Sequence, residues 1–120
     1  MPVNATVHRW NDIPSEPITG SIARQYITGD RVTVARFELK RGGIVPRHSH
    51  ESEQVSIVLN GALRFIIDGN DIVVRTGEVL QLPSWLEHEV HALEDSFVID
   101  VFSPVRQDWI DQTDDYFRRE

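Results

Sequence analysis

His48 and His50 stand one residue apart in "PRHSHESEQ", residues 46–54. On extended backbone, residues i and i+2 share a face, with Cα atoms roughly 6.5–7 Å apart. Two imidazoles so placed can aim at a common point, and a metal with nitrogen ligands at about 2.0–2.1 Å needs such convergence. Taken alone, the pair is equally at home in a surface loop. Gln54 sharpens the question, because a catalytic metal site more often has a carboxylate where this chain has an amide. A second unusual residue is Asp100, in "SFVIDVFSPVRQDW". On a strand it shares a face with Val98 and Phe102, while Phe97, Ile99 and Val101 share the other. A charge between Val and Phe is costly unless it is paired or used. Asp100 is therefore either a structural acceptor or, beside a metal, an acid or base whose pKa burial raises.

Short strands must position these groups. From Ser21 onward, "SIARQYIT", "RVTVARFELK", "EQVSIVLN", "ALRFIID", "DIVVRT", "EVLQLP", "EHEVHAL" and "SFVIDVF" are rich in β-branched and aromatic residues. Turn signals separate them at Gly29-Asp30, Gly42-Gly43, Asn60-Gly61, Asp68-Gly69-Asn70 and Gly77. This pattern predicts an all-β sandwich or small barrel. Residues 1–20 read as an irregular lead-in, and the tail from Arg106 as a short helical turn with a partly ordered end. The expectation is one domain over 1–120, with its barrel core at about 21–106.

The composition excludes several partners. A net charge of −7, with arginines scattered singly apart from "FRRE", argues against nucleic acid. No apolar run approaches the roughly 20 residues that span a bilayer. With no cysteine there is neither a disulfide framework nor a thiolate metal site. The opening "MPVNATVHRW" lacks the basic-then-apolar pattern of a leader. A cytoplasmic protein is expected.

"GGIVPRHSHESEQVSIVLNG" and "GEVLQLPSWLEH" together carry a resemblance. Gly42, His48, His50, Gln54 and Gly61 fit the first motif of the cupin superfamily, and Gly77, Pro83 and His88 fit the second. The sequence resembles the single-domain cupins over about residues 24–106. That resemblance implies a jelly-roll β-barrel with one divalent transition metal held by His48, His50, Gln54 and His88. Ni, Zn, Mn, Fe and Cu all suit such a donor set. Two positions depart from the second motif: Trp85 stands where glycine is usual, and Ala92 where asparagine is usual. His8 lies outside the pattern, and His91 has the opposite strand parity to His88.

Gln54 is either a neutral fourth ligand or a bystander to three histidines. Glu51 and Glu53 have the wrong parity to replace it unless the intervening loop breaks the alternation. Three imidazoles and an amide leave a divalent metal its full charge, which stabilises an alkoxide or enolate more strongly. Such a site also lacks an anionic ligand to support a higher oxidation state. The balance tilts toward polarising a substrate oxygen.

The three histidines and the glutamine, followed by "DVFSPVRQDW", make the sequence similar to the KdgF-type pectin-degradation cupins. These open the ring of 4,5-unsaturated galacturonate to the linear 5-keto-4-deoxyuronate. Carried over by position, the resemblance implies catalytic-pocket roles for Asp100, Phe102 and Arg106. Asp100 would move the proton, Arg106 would hold an anionic or hydroxyl group, and Phe102 would shape the wall. The implied substrate is a small anionic sugar acid. Arg24 and Tyr26, on a predicted strand, are further substrate-binding candidates, and Arg36 also sits on a strand. Two other activities fit the motifs: a quercetinase-like dioxygenase, and a non-enzymatic cupin that binds a sugar or other small molecule. Strands apolar on both faces, with Val55, Ile57 and Leu59 on one and Phe97, Ile99 and Val101 on another, predict a homodimer.

Overall fold

The computed structural model describes residues 4–118. Its strands are β1 (Glu16–Pro17), β2 (Ile22–Thr28), β3 (Thr33–Leu39), β4 (Ile44–His48), β5 (Glu53–Asn60), β6 (Ala62–Ile67), β7 (Asn70–Arg75), β8 (Val79–Leu82), β9 (His88–Ala92) and β10 (Ser96–Ser103). They form two antiparallel sheets, ordered β1-β2-β3-β10-β5-β8 and β4-β9-β6-β7. The result is a jelly-roll barrel with its core between the sheets.

Period-two patterning decides what faces inward. On β3, Thr33, Ala35, Phe37 and Leu39 are buried while the residues between them are not. On β10 the buried set is Ser96, Val98, Asp100 and Phe102, so Asp100 points into the barrel from a strand paired on both sides. The β6–β7 hairpin turns at Asp68 and Gly69, both at positive φ (51° and 76°), which suits the strand twist. Gly61 joins β5 to β6 at φ 106°, where an added Cβ would meet the Asp95 carbonyl oxygen at 2.6 Å. Only glycine fits there.

β4 has no counterpart among the strands expected from composition. Its pairing with β9 matches Val45 with Val90 and then slips, bringing His48 opposite His88. Pro46 sits in this irregular stretch of an edge strand, where a missing donor is tolerated. The tail carries the short helical turn expected of it, and residues 119–120 lie outside the described residues. It forms α1 (Gln107–Ile110) and a 3-10 turn at Asp115–Arg118, the latter resting against β4. Trp109 and Tyr116 from this segment are buried. Among the described residues, no helix is long and apolar enough to cross a membrane.

Candidate metal and acid–base site

Three imidazoles meet inside the barrel. His48 closes β4, His88 opens β9, and His50 lies in the loop between β4 and β5. The strand spacing expected for His48 and His50 therefore does not hold through His50. Backbone bonds place that residue instead: the Trp85 N–H donates to its carbonyl at 2.8 Å. The ring centroids of His48 and His88 are 4.3 Å apart, those of His50 and His88 5.3 Å. One ligating atom from each histidine lies within 4.8 Å of the other two.

Backbone carbonyls fix which nitrogens face inward. Nδ1 of His48 donates to Pro46 O at 2.8 Å, Nδ1 of His50 to Ser52 O at 2.9 Å, and Nδ1 of His88 to Leu86 O at 2.8 Å. A carbonyl only accepts, so each Nδ1 carries hydrogen and each neutral ring presents a lone pair at Nε2. Burial keeps the rings neutral. It is the largest cause lowering His48 to about 2 and His50 to about 4, with repulsion from neighbouring imidazoles and Arg106 adding to it. His88 is lowered as well, again mainly by burial.

Gln54 lies beside this triad. Its Nε2 donates to Ser56 Oγ at 2.9 Å, which turns Oε1 toward His50 Nε2 at 3.1 Å. Two acceptors then face each other. A proton between them would make His50 an imidazolium, which its burial opposes. A divalent cation among three Nε2 atoms and Oε1 satisfies all four, so the residues present fit a metal. Glu51 and Glu53 are exposed, and Glu53 accepts from Gln81 at 2.7 Å. Neither carboxylate joins the three imidazoles.

Asp100 lies opposite Ser56 in the β10–β5 register. Burial raises its carboxyl from 3.8 to about 6, against the opposing pull of the Ser56 hydroxyl and the Arg106 charge. Its Oδ1 is buried with no hydrogen-bond partner among the described residues. Such an acceptor, near the pKa a proton shuttle needs, suits acid–base chemistry.

Arg106 is anchored through its backbone N–H, which donates to Thr33 Oγ1 at 3.0 Å. Its guanidinium makes two bonds to Asp108, at 2.9 and 2.7 Å, and one to the Tyr116 hydroxyl at 2.8 Å. Burial works against its charge, but Asp108 holds it above the usual arginine value. The Phe102 ring lies 4.7 Å below the guanidinium carbon and edge-on to His50 at 5.5 Å. These groups enclose a cavity of about 40 Å³, lined by His48, Gln54, His88, Asp100, Phe102 and Arg106, with Tyr116 and Trp109 on its tail side.

The other candidates lie elsewhere. Arg24 and Tyr26 border a separate surface pocket with Glu16 and Asp114. The Arg24 guanidinium bonds Glu16 at 2.7 Å and Asp114 at 2.9 Å and lies 4.3 Å over Trp109, so it ties the tail to β2. Arg36 is half-buried, 5.6 Å over Phe97, whose strand parity points it away from the barrel interior. His91, half-buried, bonds Glu89 at 2.5 Å, and its strand parity points it away from the cavity. Trp85 sits at φ 65°, so the turn keeps a left-handed geometry without glycine. The residues missed from sequence are Ser56 and Tyr116. An alternating "QVS" and a lone tyrosine in a polar tail were the only signals for them.

This barrel and its histidines belong to a known class. The sequence profile of the Cupin domain family matches residues 35–102, and the chain belongs to that family. Within it, the chain is similar to the pectin degradation protein KdgF of Dickeya dadantii, 29% identical over 103 residues that cover 83% of this chain and 94% of that protein. The solved structure of KdgF from Halomonas sp. superposes with a TM-score of 0.76 at 27% identity, over 82% of this chain and 94% of that one. An RmlC-like cupin from Shewanella frigidimarina gives a TM-score of 0.80 over 88% and 96% of the two chains, at 24% identity, a likeness of fold alone.

Proposed function

We propose that the protein is a metal-dependent enzyme that opens the ring of 4,5-unsaturated galacturonate, or a similar unsaturated uronate, to the 5-keto-4-deoxyuronate. The observation that carries this reading is the buried Asp100 oxygen without a hydrogen-bond partner among the described residues, in the same cavity as His48, His88 and a buried arginine, with the His50 ring 5.3 Å from that of His88. The likeness to the pectin degradation protein KdgF of Dickeya dadantii, and to a second KdgF, supports the substrate class.

His48, His50, Gln54 and His88 hold the metal, which when bound supplies a positive charge that favours developing negative charge on substrate oxygen. Asp100 accepts the proton of the anomeric hydroxyl. The C1–O bond to the ring oxygen breaks as C1 becomes a carbonyl, and the electron pair stays on the oxygen attached to C5. The resulting enolate takes the proton back at C4 and becomes the 5-ketone, so the reaction is an isomerisation with no oxidant. Arg106 holds the substrate carboxylate against the repulsion of a chain with net charge −7. Phe102 walls the cavity and keeps water from the guanidinium. General acid–base catalysis of this kind contributes typically ~10²–10⁴-fold.

The same reading takes the chain as a homodimer. Ile99 pairs with Ile57 and Ile57 with Val79 on the outer face of the larger sheet, and Leu59 and Val79 are exposed.

The test is loss of the C4=C5 ultraviolet absorbance with metal-loaded protein, chelated protein and an Asp100→Asn variant. Decay well above the uncatalysed rate, lost in both controls, is expected. Absence of acceleration by folded, metal-loaded protein, or oxygen uptake instead, overturns the assignment.

A further inference from the structure

We propose that Tyr116 is a specificity gate: it fills the substrate position, and an anion opens the site by taking its place on Arg106. The phenol ring stacks on the His48 imidazole with centroids 4.1 Å apart and planes 9° from parallel, and its hydroxyl accepts from Arg106 at 2.8 Å. Tyr116 thus touches both a metal-site imidazole and the one cation among the residues lining the cavity. The space left is about 40 Å³. Pockets that hold small ligands run to about 300–1,000 Å³, so the space left is too small for a sugar acid. Admission of substrate therefore requires the ring to leave.

The segment carrying Tyr116 is tied to the barrel at two points that precede it in the chain. Trp109 is its fixed end, buried against Tyr26 and Phe102 at centroid distances of 5.1 Å each. Beyond it the chain runs through exposed Asp111, Gln112 and Thr113 to Asp114, which Arg24 holds at 2.9 Å. Residues 111–113 are thus a surface span between two anchors, Trp109 and the Arg24–Asp114 pair.

The exchange at Arg106 selects by charge. Tyr116 offers the guanidinium a neutral oxygen. A carboxylate offers a charge-assisted, bidentate-capable partner, roughly twice as strong per bond as a neutral one. A neutral sugar gains nothing over the phenol and leaves the gate shut. The site is thus selective for sugar acids before any chemistry occurs.

The inference rests on the cavity being the substrate site, but its test is separable from ring opening. Saturated galacturonate has no C4=C5 bond to react, so it reports binding alone. Zinc-loaded protein is titrated calorimetrically with galacturonate and with galactose, and amide exchange of residues 111–118 is followed in parallel. Galacturonate should bind and speed exchange in the tail, and galactose should do neither. Because apparent affinity scales with the open fraction, Tyr116→Ala should bind galacturonate about tenfold more tightly. Asp114→Asn, which loosens the tail from outside the cavity, should shift affinity in the same direction. Tyr116→Phe, keeping the stack but losing the Arg106 bond, should fall between wild type and Tyr116→Ala. Weaker binding in Tyr116→Ala, unchanged tail exchange on galacturonate, or no galacturonate binding would each overturn the gate. If the gate behaves as stated while unsaturated galacturonate is not turned over, only the reaction falls.

Discussion

Gln54 Oε1 stands 3.1 Å from His50 Nε2, acceptor against acceptor, with the amide N–H₂ fixed on Ser56 at 2.9 Å. Replacing Gln54 with Glu puts an anion at the same point. The metal should be held more tightly, by about tenfold or more in competition with a chelator, while its power to stabilise negative charge on substrate falls. Turnover of unsaturated galacturonate is expected to drop. A variant with tighter metal binding and undiminished kcat would show that site neutrality is irrelevant to the reaction.

Asp100 is held against the interest of the fold. Its carboxyl is raised from 3.8 to about 6 by burial, so above pH 6 the folded state contains an ionised group that the unfolded chain solvates better. The sign follows from proton counts: between those values the folded protein binds more protons, so stability falls as pH rises through the window. The difference is about 3 kcal/mol at pH 8. Asp100→Asn should therefore melt higher than wild type at pH 8 while losing activity. An unchanged or lower melting temperature there would contradict the buried, destabilising carboxylate.

The histidines push the opposite way. His48 and His50 stay neutral in the fold to about 2 and about 4 but take up protons near 6.5 when unfolded. Their contribution is complete above pH 6.5 and is lost as pH falls below it. Metal-free protein should accordingly lose thermal stability from pH 6.5 toward 5. The slope should be steeper in Asp100→Asn, where the opposing carboxylate is gone. Melting curves at half-unit pH steps with and without the substitution measure both.

Trp85 holds φ 65° and is 65% exposed. A left-handed conformation costs a non-glycine residue roughly 1–2 kcal/mol, and so little burial returns almost none of it. Trp85→Gly should stabilise the protein by about 1 kcal/mol, read as a rise in thermal midpoint. A fall would mean that the indole contributes packing the turn depends on.

The outer face of the larger sheet gives a last expectation. Ile57 and Ile99 are half-buried directly across from each other on it. If two copies meet there, Ile99→Glu should convert dimer to monomer in sedimentation without altering the zinc affinity of His48, His50 and His88. A wild-type monomer at micromolar concentration would remove the expectation altogether.

Much of this was legible in the sequence because the carriers were local. Alternation along "SFVIDVF" put Asp100 on one face with Val98 and Phe102, the face the fold buries, and β5 matches "EQVSIVLN" residue for residue. Motif spacing brought His88 to His48, a contact that in the fold depends on a slipped register beside Pro46. What stayed hidden was non-local. β4 is short and interrupted by proline, so no periodicity marks it. Arg24 lies on a strand as expected, but its partners Glu16 and Asp114 come from both ends of the chain. Tyr116 reaches His48 across 68 positions of sequence, which no local pattern encodes.

The three carbonyls that receive the imidazole Nδ1 protons belong to Pro46, Ser52 and Leu86, each two residues from its histidine. Carbonyls are common to every amino acid, so the orientation of the rings is inscribed in the main chain rather than in neighbouring side chains. Residues 46, 52 and 86 can change identity while the lone pairs keep pointing inward, provided the chain path survives. Roof, floor and outer faces are then free to be rewritten for other substrates around the same three nitrogens. The barrel behaves as a socket whose contacts are cast into the frame, and whose fittings are exchangeable.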